Sequence, residues 1–205
     1  MKNIVVIGAG TMGNGIAHVF AQNGFETTLN DLNESQLQKA KATILNNLDR
    51  LLSKEKISEE LKLKTLGRLQ FATQANRAIK QADLIIEAAT ENFEIKKKIF
   101  NDVMPIAPSH CIFATNTSSI SIDRLAREIP QPERLIGIHF FNPVPVMQLV
   151  EIIKGEKTTS EVTKKTEELT LKLNKTGVVV NDAPGFISNR ILMPMVNEAV
   201  EALSQ

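Results

Sequence analysis

The chain has no tryptophan and no tyrosine, only one cysteine, and no long uninterrupted apolar run. All nine aromatic residues are phenylalanine, so the protein absorbs little near-ultraviolet light. The lone Cys111 excludes an internal disulfide and fits a reducing compartment. No apolar run approaches the roughly 18 residues that a membrane-spanning helix requires, which argues against an integral membrane protein.

An excess of charge of one sign is also missing, because 24 Lys and Arg balance 23 Asp and Glu for a net charge of +1. This balance predicts no general affinity for nucleic acid or for anionic membranes. No basic-then-apolar leader opens the chain, so we expect a cytoplasmic protein. Cys111 lies in an apolar segment typical of a buried strand, which predicts a structural thiol and not a nucleophile. We assign no residues to a metal site.

A glycine turn lies near the start of the chain, in Gly8-Ala9-Gly10-Thr11-Met12-Gly13. It follows a short apolar strand and opens a helix. Gly8 allows the tight turn, Gly10 has no side chain to keep a pyrophosphate from the backbone, and Gly13 lets the helix pack closely on the strand. The start of that helix offers N–H groups and partial positive charge to phosphates. The pattern predicts dinucleotide binding.

An acidic residue follows where the second strand should end. Asp31 lies 23 residues after Gly8 and 18 after Gly13, close to the offset of about 20 that is typical of a ribose-binding acid. The next residues, Leu32-Asn33-Glu34, include no arginine to receive a 2′-phosphate, and a carboxylate would repel one. The sequence therefore favours NAD over NADP. A purely structural glycine turn is the alternative, but it does not account for the strand, the helix and the acid together.

Short apolar segments alternate with helical ones along the chain, which predicts an α/β fold with a Rossmann-type, doubly wound parallel sheet. Two consecutive helices interrupt this alternation. Asn33 caps the first, which ends near Leu52, and the second begins at Ser58. We interpret the pair as a helical hairpin inserted into the sheet pattern.

A domain boundary is predicted in the segment Asn181–Gly185, where Asp and Pro-Gly favour a turn. Residues 1–182 would then form the dinucleotide-binding domain, and 183–205 would begin an all-α domain. The last predicted helix, Ile187–Leu203, is interrupted by Pro194 and has a broad apolar face. Such a face needs a partner, either from a second domain or from another chain.

Polar side chains follow two of the predicted strands, at the edge where ligands bind to such sheets. Asn116 and Ser118 follow one strand, while His139 and Asn142 lie at the end of the next. We expect them to face the nicotinamide end of the cofactor. Oxidation of a secondary alcohol needs a base for the hydroxyl proton, and a histidine suits this because its pKa lies near neutrality.

Glu151 lies 12 residues after His139, within an otherwise apolar strand-like run. A carboxylate in such a position is costly unless it has a partner. Pairing with His139 would orient the ring and stabilise the imidazolium that forms. The alternative is a strand glutamate that points to solvent by simple alternation. The sequence alone leaves both possibilities open.

Four segments together resemble the short-chain 3-hydroxyacyl-coenzyme A dehydrogenases. They are the glycine turn, Thr115–Ser119, His139–Val144 and Asp182–Arg190. The resemblance extends along the whole chain, and His139-Phe140-Phe141-Asn142-Pro143 is its most specific part. It implies NAD-dependent interconversion of an (S)-3-hydroxyacyl-CoA, such as 3-hydroxybutyryl-CoA, and the 3-oxoacyl-CoA, in fatty-acid or butanoate metabolism.

The resemblance also implies roles for individual residues. His139 resembles the catalytic base, Glu151 its carboxylate partner, Ser118 the contact to the substrate hydroxyl, and Asn189 the contact to the substrate carbonyl. Together with the glycine turn, the implied cofactor-binding set is Gly8, Gly10, Thr11, Met12, Gly13, Asp31, Glu91, Lys96, Asn116, Ser118 and Asn142.

Basic residues at the turn of the helical hairpin, above all Lys54 and Lys56, would suit the polyanionic coenzyme A. Simpler interpretations exist for several of these residues. The hairpin lysines are interspersed with acids, and Lys96 belongs to a lysine run of the kind that usually faces solvent. Glu91 lies near a helix start, where acids are favoured, and Asn189 could be an ordinary polar residue of a first helical turn.

Members of this family continue into an all-helical domain that covers the substrate and forms a homodimer, and only its first helix is expected here. A homodimer is therefore an expectation for the full-length protein. One alternative function is an NAD-binding module without turnover. Another is a related dehydrogenase that acts on small hydroxy acids.

Overall fold

A computed structural model describes residues 1–204 of the chain. Its eight strands are β1 (Asn3–Ile7), β2 (Glu26–Asn30), β3 (Leu69–Ala72), β4 (Leu84–Glu87), β5 (Ile112–Thr115), β6 (Leu135–Phe140), β7 (Leu149–Lys154) and β8 (Thr176–Asn181). Its α-helices are α1 (Thr11–Gln22), α2 (Glu34–Ser53), α3 (Glu59–Gly67), α4 (Asn76–Ile79), α5 (Phe93–Val103), α6 (Ile122–Ala126), α7 (Ser160–Lys172) and α8 (Ser188–Ser204).

The strands form one sheet in the order β3-β2-β1-β4-β5-β6-β7-β8. The first six strands are parallel and follow the Rossmann order, so the predicted doubly wound α/β fold is confirmed. The sheet is not parallel throughout, because β7 runs antiparallel to β6. The loop between them, residues 141–148, is too short for the crossover that a parallel connection needs.

Two apolar layers cover the sheet, one on each face. Val6 and Leu29 point into the layer that also holds α1 and α7, whereas Val5 and Phe113 point into the opposite layer with α5 and α6. Strands buried on both faces read as continuous apolar runs, which is why the inner strands were visible in the sequence. Cys111 is buried, and burial raises the pKa of its thiol to about 12, as suits a structural residue.

The inserted helical hairpin is confirmed as α2 and α3. The Asn33 side chain caps α2 by accepting the Ser35 N–H, and the Ser58 hydroxyl caps α3 by accepting the Leu61 N–H. Each cap satisfies an amide that the first turn leaves without a partner. The predicted end near Leu52 is within one residue of the observed end of α2.

Two features differ from expectation. The short helices α4 and α6 were not predicted, because four or five residues are too few to show helical periodicity. Pro194 does not interrupt the last helix, and α8 continues through it. None of the described residues of α8 is buried, so its apolar side chains lie on the surface of the described chain. No helix within residues 1–204 combines the length and apolar character needed to cross a membrane.

His18 on α1 is fully buried, and neither ring nitrogen has a hydrogen-bond partner among the described residues. Burial lowers the pKa of His18 to about 4. Because this is below its unfolded value, the native state resists protonation, and stability that is complete above the unfolded pKa is lost as the pH falls toward 4. Because of His18, we expect the free energy of unfolding to fall by about 2 kcal/mol when the pH is lowered from 8 to 5.

Urea unfolding at pH 8 and at pH 5 tests this for the wild type and His18→Leu. The leucine variant should lose distinctly less stability on acidification. Equal losses in the two proteins would contradict the prediction.

Candidate active site

At two positions of the turn between β1 and α1, neighbouring backbone atoms leave no room for a side chain. Gly8 has φ +103°, and a Cβ there would lie 2.6 Å from the carbonyl oxygen of Ala88. A Cβ on Gly13 would lie 1.7 Å from the carbonyl oxygen of Gly8, so the helix could not pack on the turn. The roles predicted for these two glycines follow from these contacts.

Gly10 is different, because nothing in the described chain requires a glycine there. Its φ of −68° suits any residue, and a Cβ would meet no atom within 4 Å. The open space lies at the start of α1, which begins at Thr11 and has no side-chain N-cap among the described residues. Backbone amides at an uncapped helix start, with room for a group to approach closely, fit a dinucleotide pyrophosphate.

Asp31 lies directly beside this turn, just after β2. One carboxylate oxygen accepts the Ala9 N–H at 2.8 Å, and the other accepts the Asn33 N–H at 2.9 Å. These bonds fix the carboxylate against the glycine turn. Each oxygen has a further lone pair, so ribose hydroxyls can still be bound.

His139 and Glu151 face each other across the antiparallel pair of β6 and β7. The distance from His139 Nδ1 to a Glu151 carboxylate oxygen is 2.8 Å. Glu151 is buried, with only 2% of its surface exposed. The expected contact between the two side chains is therefore confirmed, and the alternative of a solvent-facing glutamate is wrong.

The second oxygen of Glu151 binds the beginning of the last helix. It accepts the backbone N–H groups of Ile187 at 3.1 Å and Ser188 at 2.7 Å. Burial alone would raise the Glu151 pKa, but the hydrogen bonds from His139 and from these amides hold it below its ordinary value. The carboxylate therefore stays ionised beside the imidazole.

The surroundings of His139 are apolar, which strengthens its bond to Glu151. The Phe141 ring centroid lies 4.5 Å from that of His139, and the Phe186 centroid lies 5.9 Å away. In the neutral ring, Nδ1–H is the group that can donate to the ionised Glu151, which leaves the lone pair on Nε2. The ring is thus prepared to accept a proton at Nε2.

Ser118 and Asn189 are brought together although they are far apart in the sequence. The Asn189 side-chain amide lies 3.4 Å from the Ser118 carbonyl oxygen. Nearby, Asn116 accepts the Phe140 N–H at 2.9 Å and so joins the ends of β5 and β6. Asn142 is exposed in the loop that follows β6.

Lys96 does not lie on a solvated face, although it belongs to a lysine run. Only 1% of its side chain is exposed, and its ammonium lies 2.9 Å from both oxygens of Glu87 and 3.2 Å from Glu91. Glu87 also accepts the Ala89 N–H and the Thr115 hydroxyl. Glu91 is half-exposed, so this buried cation connects the end of β4 to a carboxylate that reaches the surface.

Sequence reasoning missed Glu87 and two threonines at the end of β5, Thr115 and Thr117. The signal for Glu87 was present, because it ends the apolar run Leu84-Ile85-Ile86 just as Glu151 lies within one. Thr115 and Thr117 are both fully buried and hydrogen-bonded to carboxylates. No sequence pattern distinguishes them from ordinary strand threonines.

Lys54 and Lys56 lie at the turn between α2 and α3, both exposed. Neither forms an ion pair with a described residue, whereas Lys62 binds Asp49 and Lys64 binds Glu60. The interspersed acids therefore pair with other lysines. No hydrogen bond joins this turn to the residues around His139 within the described chain. That same part of the chain contains no cluster of three or more His, Cys, Asp or Glu that could hold a metal ion.

The uncapped glycine turn and the histidine–glutamate pair lie on one sheet whose strand order is that of dinucleotide-binding folds. Together they define a dinucleotide-dependent dehydrogenase. Residues 3–183 match the family described as 3-hydroxyacyl-CoA dehydrogenase, NAD binding domain. The chain belongs to this family of NAD-dependent oxidoreductases.

Individual relatives agree with this assignment. A 3-hydroxybutyryl-CoA dehydrogenase of Bradyrhizobium diazoefficiens is 47% identical over 99% of this chain and 69% of its own length. The crystal structure of an (S)-3-hydroxybutyryl-CoA dehydrogenase from Ralstonia eutropha is 44% identical, with a TM-score of 0.94 over 97% of this chain and 70% of its own. The crystal structure of a pyridine carboxylic acid 5-dehydrogenase, described as an NAD+-dependent dismutase, is 31% identical, with a TM-score of 0.90 over 100% of this chain and 65% of its own.

Proposed function

We propose that this chain catalyses the NAD-dependent interconversion of an (S)-3-hydroxyacyl-CoA and the corresponding 3-oxoacyl-CoA, with a short acyl chain such as 3-hydroxybutyryl. The observation that supports this most is the 2.8 Å contact between His139 and the buried, ionised Glu151. The relatives named above supply the substrate class. A carboxylate-braced imidazole is the base that oxidation of a secondary alcohol needs.

In this proposal His139 accepts the hydroxyl proton at Nε2, and Glu151 stabilises the resulting imidazolium through Nδ1–H. The apolar rings of Phe141 and Phe186 exclude water and strengthen this ion pair. Ser118 and Asn189 hold the substrate oxygens, which removes orientational freedom before the proton moves. In the reverse direction the His139 imidazolium returns the proton.

The cofactor-binding roles proposed for this chain fall to separate groups of residues. The amides after Gly10, at Thr11 and Met12, would hold the pyrophosphate, and Asp31 would hold the adenine ribose. When bound, NAD+ supplies the acceptor for the hydride from the alcohol carbon. The remaining members of the proposed set would make further contacts to NAD: Glu91, Lys96, Asn116, Ser118 and Asn142.

Purified protein assayed with acetoacetyl-CoA and NADH tests the proposal through the loss of NADH absorbance. We expect turnover that depends on the thioester. NADH binding without oxidation would instead favour the NAD-binding module. Oxidation with free hydroxy acids and none with thioesters would favour the other dehydrogenase class, to which the neighbour acting on a pyridine carboxylic acid gives some weight.

Lys54 and Lys56 are proposed to bind the phosphates of coenzyme A, since they are exposed and carry no intramolecular ion pair with described residues. We expect Lys54→Glu with Lys56→Glu to raise the KM for acetoacetyl-CoA about tenfold or more, because two attractions become repulsions. The kcat at saturation and the NADH Kd should change little.

Lys80→Glu with Lys164→Glu makes the matched control, because it changes the net charge equally at two other exposed lysines without ion pairs to described residues. An unchanged KM in the hairpin variant, or an equal rise in both variants, would contradict a local site.

Two further parts of the proposal concern organisation. Residues 1–182 would form the NAD-binding domain and 183–205 the start of a helical domain. This division is supported by α8, none of whose described residues is buried and whose large apolar side chains are exposed. A homodimer is proposed for the full-length protein, to be tested by light scattering, and a cytoplasmic location stays a prediction.

A further inference from the structure

We propose that Thr117 is a positioning residue, which together with Glu91 fixes the backbone turn that presents Ser118. This inference rests on the proposed function, because Ser118 matters only if it contacts the substrate. Thr117 itself is fully buried and cannot touch the substrate. Its effect would be exerted through the shape of the turn.

The Thr117 hydroxyl joins both sides of that turn. It donates a hydrogen bond to a Glu91 carboxylate oxygen and accepts the N–H groups of Ser119 at 3.2 Å and Ile120 at 2.8 Å. A hydroxyl that accepts amides two and three residues ahead replaces the missing backbone partners of a tight turn. Ser118 lies inside this turn, one residue after Thr117.

The same Glu91 oxygen completes the arrangement from outside the turn. It accepts the Ser118 N–H at 3.1 Å and the Ser119 hydroxyl at 3.0 Å, in addition to the Thr117 hydroxyl. Burial opposes ionisation of Glu91, but the Thr117 bond and the Lys96 charge hold its pKa below the ordinary value. An ionised carboxylate makes these hydrogen bonds stronger than a neutral acceptor would.

Glu91 is itself held in place from the sheet. Its other oxygen lies 3.2 Å from the Lys96 ammonium, which is fixed by both oxygens of the buried Glu87 at the end of β4. Glu87 also accepts the hydroxyl of Thr115, the last residue of β5. A continuous set of ion pairs and hydrogen bonds thus runs from the ends of two strands to the backbone of Ser118.

Loss of the Thr117 hydroxyl should slow the reaction, because Ser118 must be placed accurately to orient the substrate. A displacement of about 1 Å at an orienting group can cost about 100-fold in rate. Without the Thr117 hydroxyl, the Ser119 and Ile120 amides lose their acceptor and the turn is free to relax. Thr117→Val has nearly the same shape and removes only these bonds, whereas Thr117→Ser keeps them.

The test compares kcat for acetoacetyl-CoA reduction in the wild type, Thr117→Val, Thr117→Ser and Ser118→Ala. We expect Thr117→Val to lower kcat about 10- to 100-fold and Thr117→Ser to retain most of the activity. In the Ser118→Ala background, Thr117→Val should lower kcat less than about twofold, because the group it positions is already missing. Fully additive losses, or a serine variant as impaired as the valine variant, would overturn the proposal.

Amide hydrogen exchange of Ser119 and Ile120 supplies a readout that does not depend on turnover. Exchange should be slow in the wild type and in Thr117→Ser, and at least about tenfold faster in Thr117→Val. Equal exchange in the three proteins would overturn the positioning role. Absence of turnover in the wild type, with this exchange pattern intact, would count against the proposed function alone.

Discussion

Replacement of His139 by glutamine is expected to lower kcat about 10²- to 10⁴-fold while the NADH Kd changes less than about twofold. Glutamine is of similar size and its side-chain amide can still donate to Glu151. It has no basic lone pair, so the hydroxyl proton of the substrate has no acceptor. All the proposed cofactor residues except Asn142 lie on other segments, and the exposed Asn142 follows β6 and is not altered by the substitution.

Steady-state kinetics with acetoacetyl-CoA and NADH fluorescence titration measure the two quantities separately. The absence of tryptophan removes most protein fluorescence from that titration. His110→Gln is the matched control, since His110 is exposed and binds only Asp83 among the described residues. A parallel loss of NADH affinity in His139→Gln would contradict its assignment as the base.

Two alanine substitutions in the glycine turn are expected to affect different properties: Gly13→Ala should lower stability, and Gly10→Ala should weaken NADH binding. In Gly13→Ala the new methyl group meets the backbone oxygen of Gly8 at 1.7 Å, which no side-chain movement relieves. We expect the free energy of unfolding to fall by about 3 kcal/mol or more. In Gly10→Ala the methyl group enters open space, so stability should stay within about 0.5 kcal/mol of the wild type.

The NADH Kd of Gly10→Ala should nevertheless rise about tenfold or more, because the methyl group occupies the space where a phosphate would reach the amides. Urea unfolding and NADH titration measure the two effects. Gly67→Ala is the control, since its φ is not positive and a Cβ there meets no atom within 4 Å. Unchanged NADH affinity in Gly10→Ala would remove the support that this glycine gives to a pyrophosphate site.

Much of the fold could be predicted because its signals are local. Continuous apolar runs such as Ile4–Ile7 mark buried strands, and the caps Asn33 and Ser58 mark helix starts. The antiparallel direction of β7 was missed although the short 141–148 loop excludes a crossover. Loop length, and not composition, decided that direction.

The site could be predicted only where a residue is unusual among its immediate neighbours in the sequence. Glu151 was visible as an acid in an apolar run, but the choice between solvent and His139 depended on strand register. The buried position of Lys96 was hidden, because its acceptor Glu87 lies nine residues away in a preceding strand. Contacts between side chains on different elements leave no periodic trace in a sequence.

The divided use of the Glu151 carboxylate has a consequence for how the protein would lose function. One oxygen braces the imidazole, and the other anchors the beginning of α8, where Asn189 lies. If the beginning of α8 moves away, Glu151 loses the two amide hydrogen bonds that help to hold its position and its charge beside His139. Orientation of the catalytic imidazole and placement of the substrate-binding asparagine therefore depend on the same carboxylate.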